Sequence, residues 1–165
     1  MPKSRVFKLQ PIGILRTPFK SSNAVPIQSI KSDAKGHIEL LEEYRDGLES
    51  LDGFSHIILL YWFHKAKEPK MLMKPFLDNA LHGIFAIRAP TRPNPIGIST
   101  VKLVRIEGTR LYFEGADMLD ETPLLDIKPF VPDFDNRPLA TSGWLDTISH
   151  TEDQSFKADD RFERK

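Results

Sequence analysis

Residues 99–119, STVKLVRIEGTRLYFEGADML, decide the fold. Apolar side chains alternate with polar ones on both sides of residues 107–109, and a glycine sits inside that connection, which predicts two antiparallel strands joined by a tight turn. Just upstream of the midpoint of the chain, residues 54–64, FSHIILLYWFH, make a run of branched and aromatic side chains. That run predicts a central strand buried on both faces. Downstream of the hairpin, residues 124–132, LLDIKPFVP, predict a last short strand ended by prolines.

The flanking text extends the same pattern. Residues 7–19, FKLQPIGILRTPF, are broken at Pro11 and Pro18 and suit an edge or terminal strand better than a helix. Residues 21–36 are polar and aperiodic and predict a long loop leading to a short strand at residues 37–41. A helical turn or two is expected at residues 44–51, before Asp52 and Gly53. Pro69 and Pro75 interrupt any helix at residues 65–82, and GIFAIRA at residues 83–89 resumes strand character. Six or seven short strands without a long helix predict a mainly β fold. The expectation is a small single-domain β-barrel over residues 1–150, with short helical turns and long loops, followed by a charged tail at residues 151–165.

Composition narrows the chemistry. With 165 residues, the chain has the size of one ordinary domain. It contains no cysteine, which excludes disulfides, thiolate metal sites, cysteine nucleophiles and iron–sulfur clusters. The first ten residues lack an apolar segment and no run reaches membrane-spanning length, so the expectation is a cytoplasmic protein with no membrane partner. Because 23 basic residues balance 23 acidic ones, any nucleic-acid binding must use a local patch or a surface completed by a second subunit.

Two runs carry candidate chemistry. In RAPTRPNPIG, residues 88–97, prolines at 90, 93 and 95 fix backbone angles and remove three donors, which makes a stiff loop. Arg88 and Arg92 interleave with those prolines, Asn94 can donate and accept, and Gly97 allows close backbone approach. Such arginines either bind an anionic group or merely cap carbonyls and pair with acids within the loop. The second run, residues 117–135, places Asp117, Asp120, Glu121, Asp126, Asp133 and Asp135 among apolar residues with one cation, Lys128. Asp126 stands out because it lies inside an apolar strand of alternating type and, if turned inward, needs a partner such as an arginine or Lys128. A structural salt bridge and a catalytic role both remain open for it.

Histidines 37, 56, 64, 82 and 150 show no HxH or HExxH spacing, so no metal is expected. His56 and His64 are spaced so that they could share one strand face, a buried or strand-end histidine being the more usual outcome, and His64 falls where the strand runs out into a loop. No GxGxxG, Walker A or GxSxG run occurs, which disfavours the common nucleotide folds and the hydrolase elbow.

The run FAIRAPTRPNPIGIS, residues 85–99, followed by DETPLLDIKPF, residues 120–130, resembles the TrmO family, also called TsaA-like or YaeB-like proteins. LDGFSHIILLYWFH, residues 51–64, is similar to the buried strand of that family, and the resemblance spans residues 12–132. It implies a dimeric S-adenosylmethionine-dependent tRNA methyltransferase with a small β-barrel, acting on N6-threonylcarbamoyladenosine beside the anticodon. It also implies cofactor contacts at Gln28, Ser29 and Ile30, at His64 and Lys65, at Arg88, at Ser99 and Thr100, and at Ala116, Asp117, Met118 and Leu119. Arg92, Asn94 and Lys128 are the corresponding candidates for substrate contact, and Asp126 or a water for accepting a proton.

Tyr61, Trp62 and Trp144 are candidate stacking platforms for unstacked bases, with core packing the competing reading for the first two. Two departures stand out. Glu121 occupies a position where the family usually has glycine, and the extra C-terminal domain of the longest bacterial members has no counterpart in this sequence. A noncatalytic RNA-binding barrel and a methyltransferase of the same fold acting on a small molecule remain alternative readings.

Overall fold

The structure, a computed structural model, describes residues 6–148; the charged tail at 151–165 and His150 lie outside the described residues. Eight strands follow in chain order: β1 (Gly13–Arg16), β2 (Lys35–Leu40), β3 (His56–Trp62), β4 (Leu72–Met73), β5 (His82–Gly83), β6 (Ile96–Glu107), β7 (Arg110–Glu114) and β8 (Thr122–Pro129). Six of them close into a barrel in the order β1-β2-β7-β6-β3-β8, with β8 pairing back on β1 and every neighbour antiparallel. The predicted small β-barrel with short helical turns and long loops is therefore what forms.

The hairpin read from residues 99–119 is the β6/β7 pair, with Glu107 opposite Arg110 and Gly108 in the left-handed conformation at φ 63°. A register shift between Leu103 and Arg105 bends β6, so its first half pairs with β3 and its second with β7. Inward side chains of all six strands fill the barrel. Leu15, Ile38, Ile57, Leu59, Leu111 and Leu124 are fully buried, with Phe113 and Val101 beside them.

The strand predicted at residues 7–19 forms as β1, the first strand of the chain; it is only four residues long and lies between β2 and β8, so it is not an edge strand. Three further expectations need correction. β3 is buried on one face: Ile57, Leu59 and Tyr61 point into the core while Ile58, Leu60 and Trp62 are half-buried, because a single barrel wall has only one core to face. Residues 83–89 do not resume a strand beyond Gly83; residues Ile84–Ala86 form a 3-10 turn. The three-residue spacing of Ile84 and Ile87 puts both side chains, with Ala89, into a second small core against Met73, Phe76 and Trp144. Finally, β8 contains a bulge opposite the Leu60–Tyr61 step. Leu124 faces Tyr61 inside the barrel, but beyond the bulge Asp126 faces Leu60 and Lys128 faces Ile58 on the outer wall, leaving Ile127 to take the inward place opposite Leu59. Asp126 therefore points outward, where its carboxylate pairs with Lys128 at 2.7 Å with both side chains substantially exposed.

The helical turns expected near residues 44–51 are 3-10 turns, Glu42–Leu48 and Leu51–Gly53. A one-turn α-helix, Pro132–Asp135, and a 3-10 turn, Gly143–Thr147, follow the barrel. Among the described residues, no helix is long and apolar enough to cross a membrane.

Candidate active site

The stiff proline loop enters β6 through Gly97, which pairs with Tyr61 across the sheet. A side chain there has no room: a Cβ on Gly97 would stand 2.2 Å from the Tyr61 ring. The tyrosine ring thus lies over bare backbone, packed edge-on against Phe63 at 5.4 Å between centroids. This placement sends the phenol toward the next inward residue of β6, and the Tyr61 hydroxyl lies 3.0 Å from Ser99 Oγ. Ser99 in turn donates to Asp117 Oδ1 at 2.5 Å, just after β7 ends. The result is a polar chain, Tyr61–Ser99–Asp117, that runs from two buried residues to a half-buried carboxylate and joins three segments at one end of the barrel.

Burial sets the charge states in this chain. It raises the Tyr61 phenol well above its ordinary value, and the Asp117 negative charge adds to that, so the tyrosine stays neutral and keeps its proton to donate. Burial also pushes the Asp117 carboxyl up to about 6, against the Ser99 hydrogen bond, the backbone N–H groups of Ser29 and of Asp117 itself, and the charge of Arg88. Asp117 is consequently a carboxyl that titrates close to neutrality.

Loops from both sides close on this cluster. Arg88 Nη1 donates to Gln28 Oε1 at 3.0 Å, tying the proline loop to the loop before β2. Ser32 Oγ donates to the carbonyl of Ala116 at 2.5 Å, and Lys65 Nζ reaches the carbonyl of Lys20 at 3.4 Å. Thr122 Oγ1 donates to the Leu119 carbonyl at 2.7 Å and stands 3.4 Å from His64 Nδ1. The structure thus brings Gln28, Ser29, Arg88, Ser99 and Asp117 into one contact group, with Lys65 and His64 tied to neighbouring turns. Ala116 and Met118 are buried, and their carbonyls already accept hydroxyls, Ala116 from Ser32 and Met118 from Thr17. Ile30 and Thr100 fall elsewhere: Thr100 is outward on β6, next to inward Ser99, and with Ile30, Ser29, His56 and Lys102 it lines an open groove of about 620 Å³.

The remaining candidates behave differently. Arg92 Nη1 donates to the carbonyls of Ile84 at 3.0 Å and Ile87 at 2.7 Å, the carbonyl-capping role, while its guanidinium carbon lies 5.8 Å from the exposed Phe85 ring. Asn94 is exposed, and its carbonyl accepts from the N–H of Ile96 at 2.8 Å. Lys128 and Asp126 sit on the outer wall, so neither joins the Tyr61–Ser99–Asp117 chain. Of the aromatic candidates, Tyr61 is buried, Trp62 is half-buried on the outer wall, and Trp144 stacks on His82 at 4.3 Å and donates to the Ala86 carbonyl.

Glu121 adopts a left-handed backbone at φ 62°, which explains a preference for glycine at this turn. Its carboxylate lies 3.2 Å from Arg16, which also pairs with Glu39 at 3.1 Å. Asp120 beside it is buried; burial raises its carboxyl, but Lys20, the Thr17 N–H and Arg16 outweigh that and hold it below the usual range. Among the described residues, no group of three metal-ligating side chains occurs.

This barrel, with its polar groups gathered at one end, is of a class found among known proteins. The family model described as the tRNA-methyltransferase O N-terminal domain matches residues 14–136, and the chain belongs to that family. A Pyrococcus abyssi protein named as a probable S-adenosyl-L-methionine-binding protein is 50% identical over 142 residues, covering 86% of this chain and 77% of its own length. The mouse tRNA (adenine(37)-N6)-methyltransferase is 37% identical over 135 residues, 77% of this chain but 31% of the mouse protein. The crystal structure of TrmO from Pseudomonas aeruginosa superposes with a TM-score of 0.74 at 39% identity. The match covers 86% of this chain, which spans 64% of that crystallised chain.

Proposed function

We propose that this chain is an S-adenosylmethionine-dependent methyltransferase that methylates N6 of threonylcarbamoyladenosine beside the anticodon of tRNA. The observation that carries the reading is the meeting of Arg88–Gln28 with Tyr61–Ser99–Asp117 at one end of the barrel, inside the segment that matches the family. The names of the Pyrococcus and mouse relatives support the cofactor and the acceptor respectively.

The residues present fit such a cofactor. Arg88 is exposed at the rim, held by Gln28, and its planar fork suits a carboxylate. The cofactor, when bound, supplies an electrophilic methyl group. The chain then has to align the acceptor nitrogen with that group and keep water out, which the closing loops at residues 28–32, 63–65 and 116–122 are arranged to do.

An anticodon loop offers unstacked bases. Phe85, 77% exposed beside the Arg92 guanidinium, is a platform for one of them. A homodimer in the cytoplasm is part of the same reading. Ile96 and Ile98 are exposed on the outer wall beside Trp62 and Leu60, an apolar strip suited to a second copy. Pairing two copies would also build a wider surface for RNA than one chain with balanced charge provides.

The test is transfer of labelled methyl from S-adenosylmethionine to unfractionated tRNA, followed by nucleoside analysis. Label in threonylcarbamoyladenosine is the expected result. Label confined to another nucleoside, or absent, overturns the acceptor.

A further inference from the structure

The acidic residues around the turn at 116–122 are not equivalent. Asp120 is neutralised by Lys20 and by Arg16 at 3.9 Å, Glu121 by Arg16, and Asp126 by Lys128 on the outer wall. Asp117 differs in having a hydroxyl and backbone amides as its hydrogen-bond partners. Those partners come from β6 through Ser99, from the loop before β2 through the Ser29 N–H, and from its own backbone; Tyr61 on β3 stands behind Ser99, and Arg88 is the charged group acting on it. Ser99 donates to Oδ1 at 2.5 Å, and the two oxygens of a carboxylate offer about four acceptor positions, more than these donors fill.

The direction of the chain matters as much as its members. A tyrosine kept neutral by burial donates to Ser99, which leaves the serine proton pointing at Asp117. The carboxylate is therefore the terminal acceptor of a prealigned hydrogen-bond chain rather than a donor within it.

We propose that the Asp117 carboxylate accepts the proton given up by the nitrogen that becomes methylated. This rests on the methyltransferase reading above. As the nitrogen lone pair forms the new N–C bond, the C–S bond of the sulfonium breaks with its electron pair remaining on sulfur, which becomes a neutral thioether. The proton of the acceptor N–H passes to Asp117 and from there to water, so charge and atoms balance without a metal or a further reactant. Asp126, the acid that strand alternation favours, is excluded from this role by the β8 bulge that turns it outward.

The experiment measures methyl transfer to unfractionated tRNA against pH, with cofactor affinity measured separately by calorimetry. In the wild-type chain the rate should fall on the acid side as Asp117 takes up its proton, with an inflection near 6. Asp117→Asn should lose the acid limb and about 10²- to 10⁴-fold in rate while binding S-adenosylmethionine within a few-fold of wild type, which also shows that it folds. Tyr61→Phe should move the inflection upward, because the carboxylate loses the donor that polarises Ser99. An Asp117→Asn variant that keeps its rate and its acid limb overturns the proposal. So does one whose loss is entirely in cofactor affinity, which would make Asp117 a cofactor ligand. A wild-type chain that binds the cofactor but labels no tRNA removes the methyltransferase reading, and the proposal with it.

Discussion

The barrel wall and the segment between β3 and β6 solve the same packing problem in opposite ways. The wall pairs residues far apart in sequence along continuous ladders and buries Leu15, Ile38, Leu59, Leu111 and Phe113 together. The segment from residue 63 to residue 95 has one two-residue strand pair, a core of Ile84, Ile87 and Ala89, and hydrogen bonds from Arg92 and Trp144 to turn carbonyls. The wall is held by buried area and the segment by a few directed bonds and stiff prolines. A site at their junction can therefore combine a rigid floor, Tyr61 and Ser99, with a rim, Arg88, able to move without unfolding the barrel.

The largest effect expected from this contrast is on the wall. Phe113→Ala removes a fully buried ring and should cost about 3–5 kcal/mol. Urea unfolding would read this as a large drop in midpoint. A loss of under 1 kcal/mol would show that the barrel collapses around the cavity and is not packed as described.

Arg92→Ala should act on the segment instead. Leaving the Ile84 and Ile87 carbonyls without their donor costs about 1–3 kcal/mol locally. Hydrogen exchange should speed up within residues 82–92 while amides of β3 and β6 keep their protection. Equal loss of protection in both regions would erase the distinction between them.

Sequence alone reveals the wall better than the junction, for identifiable reasons. The β6/β7 hairpin is legible because its alternation and its glycine agree, and the proline loop because three prolines admit few conformations. Asp126 misleads because nothing in LLDIKP announces the bulge that reverses the alternation. Residues 83–89 mislead because apolar side chains three apart fit a 3-10 turn as well as a strand. Asp117 can be named as a cofactor contact by resemblance, but its setting depends on Ser99, 18 residues away, and Tyr61, 38 residues further back from Ser99. Contacts across a barrel leave no local periodicity to read.

At the rim, Arg88→Ala should lower affinity for S-adenosylmethionine by about tenfold, the value of one charge-assisted hydrogen bond. Its exposure predicts no change in thermal midpoint. Calorimetry with unchanged affinity would take Arg88 out of the binding site.

On the floor, a pH dependence of stability of about 1 kcal/mol is expected. The folded Asp117 carboxyl, near 6, binds its proton more tightly than an unfolded aspartate near 3.8. The folded state therefore gains relative stability as pH falls from 7 to 5, and Asp117→Asn should remove that gain. A wild-type stability that is flat over this interval would mean the carboxyl is better solvated than its surroundings indicate.

The smallest effect should come from Glu121, at the turn between β7 and β8. Its left-handed backbone costs a side-chain-bearing residue about 1–2 kcal/mol, and glycine relieves this. Against that gain stand the extra freedom of glycine in the unfolded chain, about 0.4–1 kcal/mol, and the exposed pair with Arg16, worth about 0–1 kcal/mol. Arg16 keeps Glu39 whichever residue occupies position 121, so the pair is only partly lost. Glu121→Gly should accordingly raise stability by about 0.5 kcal/mol or leave it level. A fall of more than 1 kcal/mol in urea unfolding would show that Glu121 is held for the Arg16 network, and that the acidic rim of this turn stabilises the barrel rather than merely being tolerated by it.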